Sequence, residues 1–139
     1  MDSEKIKTKI LIADDEKDVL EVMAKKIIRE GYAVVTATNG KEAWEKIVSE
    51  SPDVILLDLT MPEMDGFEIL KNLREHPPAD KWQPVIIISA LSEMENMKKG
   101  YALEADHYIT KPCPIETVLN AIKIMLSLIP YRKPNVESR

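Results

Sequence analysis

Asp14, Asp15, Asp58, Ser89 and Lys111 share one placement, each lying just beyond a short apolar run. Asp14 and Asp15 follow Ile10–Ala13, Asp58 follows Val54–Leu57, Ser89 follows Val85–Ile88, and Lys111-Pro112 follows Tyr108 and Ile109. Three carboxylates gathered at one place repel one another unless a cation neutralises them or one is protonated through a raised pKa. A hard divalent ion resolves that conflict. Mg²⁺ suits a site with few protein ligands and several waters, and Mn²⁺ is the alternative ion. An ammonium and a small hydroxyl beside that ion are what a phosphoryl group needs. Taken singly, each residue has a plainer role. Asp14 or Asp15 could N-cap a helix, Asp58 could satisfy loop amides, Ser89 could cap, and Lys111 could be solvated. The shared placement is what argues for a joint role.

The elements that must position these residues are legible in the apolar pattern. Ile10–Ala13, Tyr32–Ala37, Val54–Leu57, Val85–Ile88 and Tyr108-Ile109 read as strands. Helices are expected over Lys17–Glu30, from Asn39-Gly40, from Asp65-Gly66, over Ser92–Leu103 and over Ile115–Ile129. Leu20, Met23, Ala24, Ile27 and Ile28 keep helical spacing in the first, and Gly31 is its stop. Runs such as Val54–Leu57 lack polar alternation, as expected of strands covered on both faces. Strict β/α alternation therefore predicts an α/β fold, a five-stranded parallel sheet with helices on both faces. The simplest order is 2-1-3-4-5, the flavodoxin-like doubly wound arrangement. Ligands of such sheets bind beyond the carboxyl ends of the strands, where the five residues stand.

Composition narrows the function. The chain has 139 residues, enough for one domain with its own core. Lys and Arg number 19 against 24 Asp and Glu, a net charge of −5 with no basic run, which argues against direct nucleic-acid contact. Seven aromatic residues argue against a base-stacking platform. The single cysteine, Cys113, excludes an internal disulfide and any multi-cysteine metal site. No stretch approaches the ~20 apolar residues needed to span a bilayer. A cytoplasmic location without membrane association is expected.

The sequence resembles the receiver domain of two-component response regulators over Thr8 to Leu128. The matching pieces are Asp14-Asp15, Val54–Pro62 with Asp65-Gly66, Ile88-Ser89-Ala90, Asp106, and Tyr108-Ile-Thr-Lys111-Pro112. The resemblance implies a phosphorylation-activated signalling switch that catalyses only its own phosphorylation and dephosphorylation. Asp58 would accept a phosphoryl group from a histidine kinase or histidine phosphotransfer protein. Asp15 and Asp58 would hold Mg²⁺ through carboxylates, Thr60 through its backbone carbonyl, and Asp14 mainly through bound water. Lys111 would pair with the phosphoryl oxygens, from a cis Lys111–Pro112 peptide. Ser89 and Tyr108 would be the coupled switch pair. Lys111 is expected to matter for signalling more than for folding, since its charge answers a phosphate absent at rest.

Glu104 stands where such domains usually carry a glycine, so helix four is expected to use another stop. Cys113 replaces a common Phe and reads as space-filling, and His76 and His107 read as solvated loop residues. A phosphohydrolase of the haloacid-dehalogenase type also uses a strand-end Asp and Mg²⁺. It needs a second Asp two residues on, where this chain has Thr60, and no segment reads as its cap domain. Neither glycine-rich nucleotide-binding motif is present. A receiver kept only as a scaffold conflicts with the complete acid, hydroxyl and lysine set. The receiver is expected over 1–129, with 130–139 a polar tail or the start of a linker. In the last helix Ile115, Val118, Leu119, Ile122, Met125, Leu126 and Ile129 form the core stripe. Ala121, Ile124 and Leu128 repeat on a neighbouring face expected to look outward. Ile124 and Leu128 are therefore expected in a homodimer or partner contact on the helix four, strand five, helix five face.

Overall fold

The computed structural model describes residues 7–132, and its elements follow the order of the apolar runs. β1 (Lys9–Ala13), β2 (Ala33–Ala37), β3 (Val54–Leu57), β4 (Val85–Ser89) and β5 (His107–Thr110) are the strands. They alternate with α1 (Lys17–Arg29), α2 (Gly40–Glu50), α3 (Gly66–Glu75), α4 (Met94–Ala102) and α5 (Ile115–Leu128). The sheet is parallel throughout, in the expected order 2-1-3-4-5.

Period-two alternation divides each strand between two cores. Leu11, Ile55, Leu57, Val85 and Ile87 pack with Ala43 and Ile47 of α2 and Ile69, Leu70 and Leu73 of α3. Ile10, Ile12, Val54, Leu56, Ile86 and Ile88 pack with Leu20 and Ile27 of α1 and Val118, Ile122 and Met125 of α5. Ile55, Leu56 and Leu57 are almost wholly buried. Each such side chain contributes about 1.5–3 kcal/mol by leaving water. The central strands are thus a rigid floor for the residues at their ends.

Helix starts follow local chemistry. Asn39 accepts from the Glu42 N–H at 2.8 Å, and the Glu42 carboxylate reaches back to the Thr38 N–H at 2.7 Å. Asp65 caps α3 by accepting from the Glu68 N–H at 2.9 Å. Neither Asp14 nor Asp15 caps α1; its N-cap is Glu16, with no side-chain bond. Both carboxylates stay available for other work.

Several expectations are corrected. α4, Met94–Ala102, is shorter than Ser92–Leu103, and its stop, just past the cap Leu103, is Glu104. That residue takes the left-handed φ of 70°, its N–H reaches Tyr101 O, and the Ala105 N–H reaches Gly100 O. This is the glycine stop made with a glutamate. His107 is half-buried within β5 rather than in a solvated loop. Ile28 is exposed, not part of the α1 stripe. Ala121, expected on the outward face of α5, is 4% exposed and belongs to the core. Pro130 lies inside a 3₁₀ turn, Ile129–Tyr131, that carries on from α5. Beyond it the Arg132 guanidinium lies over the Trp82 ring at 4.3 Å. The remainder of the expected tail, 133–139, lies outside the described residues.

Candidate functional site

The carboxyl ends of β1, β3 and β5 bring Asp14, Asp58 and Lys111 together. Lys111 Nζ donates to Asp14 Oδ2 at 2.7 Å and to Asp58 Oδ2 at 3.0 Å, and lies 3.9 Å from Glu16 Oε1. The second oxygen of each buried carboxylate is bound to its own loop. Asp14 Oδ1 accepts from the Glu16 N–H at 2.9 Å, and Asp58 Oδ1 from the Thr60 N–H at 3.1 Å. Backbone bonds fix both residues, since the Asp14 N–H reaches Ala37 O and the Asp58 N–H reaches Ala13 O, each at 3.0 Å. Asp15 is exposed at the rim.

Carboxylate oxygens of Asp14, Asp15 and Asp58 all lie within 4.8 Å of one another, close enough for one hard cation to reach all three. The residues present therefore fit Mg²⁺. Lys111 already neutralises part of the cluster, a resolution of the acid repulsion that spacing alone did not reveal. Burial pulls the Lys111 ammonium down, but the hydrogen bonds and charges of Asp14 and Asp58 outweigh it and hold its pKa above the ordinary lysine value. The reason given for expecting Lys111 to matter little for folding, that its charge answers a phosphate absent at rest, is thereby corrected: at rest it bridges two buried carboxylates.

Ser89 and Tyr108 stand one step from this cluster. Ser89 is fully buried, its carbonyl accepts from the Lys111 N–H at 2.8 Å, and its Oγ accepts from the Leu91 N–H at 3.2 Å. The Tyr108 hydroxyl donates to the Leu91 carbonyl. Both residues thus grip the loop between β4 and α4 at Leu91. Burial raises the Tyr108 pKa, the neighbouring Ser89 hydroxyl lowers it, and the Asp58 charge raises it further; the net shift is upward. The Lys111–Pro112 peptide is cis, as expected.

Asp106 is part of the matched motif yet sits at the opposite pole. Its Oδ2 accepts from Arg74 and from the Val85 N–H, each at 2.8 Å, and Arg132 lies 3.8 Å from Oδ1. Burial raises its pKa against the pull of Arg74, the Val85 N–H and Arg132. It ties α3, β4 and the end of α5 together and takes no part in the acid cluster.

The response regulator receiver domain profile matches residues 10–123. The chain belongs to this family. The receiver is 34% identical over 131 residues to the alkaline phosphatase synthesis transcriptional regulatory protein PhoP of Bacillus subtilis, covering 94% of this chain and 53% of that protein. It is 38% identical to the transcriptional regulatory protein SrrA of Staphylococcus aureus, covering 84% of this chain and 47% of that one. The chain spans about half the length of these curated relatives. Among solved structures, the Francisella response regulator 1452 receiver domain is 36% identical with a TM-score of 0.79, covering 85% of this chain and 95% of its own. The CheX-CheY-BeF3-Mg complex from Borrelia burgdorferi gives 29% and 0.80, covering 91% and 94%.

Sequence reasoning missed Leu91, whose peptide groups join Ser89 and Tyr108, because nothing in a leucine signals a backbone role. It also missed the seats of the β3–α3 loop. Asn39-Gly40 and Asp65-Gly66 announced helix starts, but not what each glycine faces.

Proposed function

We propose that Asp58 accepts a phosphoryl group from a phosphohistidine of a histidine kinase or histidine phosphotransfer protein. The observation that carries this reading is the Asp58 carboxylate, held between the Lys111 ammonium and the Thr60 N–H within a three-carboxylate cluster. An Asp58 oxygen forms the new O–P bond as the P–N bond breaks, and the donor imidazole keeps the electron pair. Such a loose transition state needs placement and charge neutralisation more than covalent machinery. Lys111 supplies N–H donors to the phosphoryl oxygens, and the rigid end of β3 supplies placement. Mg²⁺, or Mn²⁺ in its stead, neutralises phosphoryl charge when bound; Asp15, Asp58 and the Thr60 carbonyl would hold it, with Asp14 acting through water. The Borrelia CheY neighbour, determined with BeF3 and Mg²⁺, supports the choice of ion.

Phosphorylation adds charge and acceptor oxygens to a crowded acidic crevice. Ser89 turns toward them and releases the Leu91 N–H, loosening the loop that Tyr108 holds by its carbonyl. That is a local charge event acting on a two-state packing element. β5 is an edge strand, with α4 on one sheet face and α5 on the other, so the readout surface is α4, β5 and α5. There Ile124 and Leu128 are exposed and form the contact with a second copy or protein partner. We place the receiver at 1–129 and a tail or linker start at 130–139, with Arg132 fastening its first residues to Trp82. The reaction is confined to the domain's own phosphorylation and dephosphorylation, beside cytoplasmic phosphodonors. No described helix is long and apolar enough to cross a membrane.

Incubation with acetyl phosphate and Mg²⁺, read by intact mass, tests the reading. A phosphate-sized gain that disappears in Asp58→Asn is expected. Steady phosphate release from aryl phosphates, with no adduct, would favour a phosphohydrolase.

A further inference from the structure

Gly40 lies at the start of α2, outside the acid cluster, yet its bare Cα faces the loop that leaves Asp58. A Cβ built on Gly40 would lie 1.7 Å from Met64 O, 2.5 Å from Met64 C and 2.6 Å from Met64 Cβ. Two of these atoms are backbone, so no rotamer change relieves the overlap. The Gly40 N–H also donates to Pro62 O at 3.1 Å. As the first residue of its helix Gly40 has no intrahelical acceptor, so this bond reports only on the loop.

The loop has little freedom to move elsewhere. The Met64 N–H folds back onto Pro62 O at 2.9 Å, and Glu63 between them has a φ of 73°. At its far end Asp65 caps α3, and the Gly66 N–H donates to Leu59 O at 3.1 Å. A Cβ on Gly66 would stand 2.6 Å from Asp58 O. A push at Met64 therefore passes to Leu59–Met61. That segment hands the Thr60 N–H to Asp58 Oδ1.

We infer that Gly40 is a positioning residue for metal binding and phosphoryl acceptance: the start of α2 is the seat on which the β3–α3 loop is set, and with it Asp58 and Thr60. This rests on the proposed roles of those two residues. Helix propensity works in the test's favour. Alanine is the better helix former, and Gly40 does not have a positive φ, so Gly40→Ala does not weaken α2 itself.

The experiment titrates Mg²⁺ into the wild-type chain and Gly40→Ala, following the melting temperature, and then times acetyl phosphate labelling of both. In Gly40→Ala a Mg²⁺ affinity at least about tenfold weaker is expected, with labelling slowed in proportion and melting still cooperative. A second measurement needs no variant. Because coupling is reciprocal, Mg²⁺ must tighten the seat, and exchange of the wild-type Gly40 amide should slow several-fold when Mg²⁺ is added. A variant that matches the wild type within about twofold in both Mg²⁺ affinity and labelling would overturn the proposal. So would a Gly40 amide indifferent to Mg²⁺, which decides the matter if the variant fails to fold. A wild-type chain that ignores Mg²⁺ altogether would overturn the site reading first, and this inference with it.

Discussion

At the residue scale the charge balance of the acid cluster turns on Lys111. Two buried carboxylates, Asp14 and Asp58, each give one oxygen to its ammonium. Removing one partner of a buried ion pair leaves an uncompensated charge, which costs about 3 kcal/mol. Lys111→Ala should therefore lose stability of that order in chelator. Added Mg²⁺ should narrow the gap, because the metal then answers the same two carboxylates without competition from the ammonium. Urea denaturation with EDTA and with Mg²⁺ checks this, and equal stability in EDTA would show that the bridge is energetically idle. The sequence made all the participants legible, since each stands at a strand end and carboxylates there demand a counter-charge. It did not show that Lys111 is that counter-charge at rest. The 97-residue separation between Asp14 and Lys111 is closed only by the sheet order. The plainer reading of Asp14 as a cap failed because its Oδ1 takes the Glu16 N–H within a turn.

At the element scale the strands were legible to within a residue or two, because their apolar runs are covered on both faces and tolerate no polar interruption. α4 was not. Its buried contribution is small, with Gly100 its one fully buried residue, so periodicity gave weak guidance to its ends. Glycine was sought as the stop, whereas Glu104 adopts the left-handed conformation and the paired bonds to Tyr101 and Gly100 hold it there. A side chain in that region is strained, and Glu104 is exposed with its carbonyl engaged by Arg74. Glu104→Gly keeps that carbonyl and relieves the strain, offset in part by the greater freedom of an unfolded glycine. A net stabilisation of about 0.5–1 kcal/mol is expected, seen as a rise of a few degrees in Tm. A lower Tm would mean that the glutamate side chain holds the turn by a contact of its own.

At the scale of the whole molecule, the four raised pKa values of the alkaline range act in one direction. Burial raises Tyr32, Tyr108 and Cys113, and the acid pair raises Lys111. In each case the folded chain holds its proton more tightly than the unfolded chain, so the stability they contribute is complete below the ordinary values of 9.0 for Cys, 10.0 for Tyr and 10.5 for Lys. It is lost as pH rises through the raised values. Unfolding free energy in EDTA should fall as pH rises above the ordinary Cys value of 9.0, less so in Tyr108→Phe, and a flat profile would contradict the assignment. The same whole-molecule view bears on assembly. α5 fills its core with Val118, Ala121, Ile122 and Met125, whereas Ile124 is 56% and Leu128 37% exposed. The stripe read from spacing was one residue too narrow at Ala121, because a small side chain can be buried on a flank where isoleucine and leucine cannot. Ile124 therefore contributes little to folding, Leu128 is the more buried of the two, and the apolar area both leave exposed is available to another surface. Replacing both with Lys should cost no more than about 2 kcal/mol, most of it at Leu128, and leave Asp58 labelling intact. It should abolish any association that acetyl phosphate and Mg²⁺ induce, measured by sedimentation or light scattering. Association that survives both lysines would move the contact off this face of α5, and an unfolded double variant would return the two residues to the core.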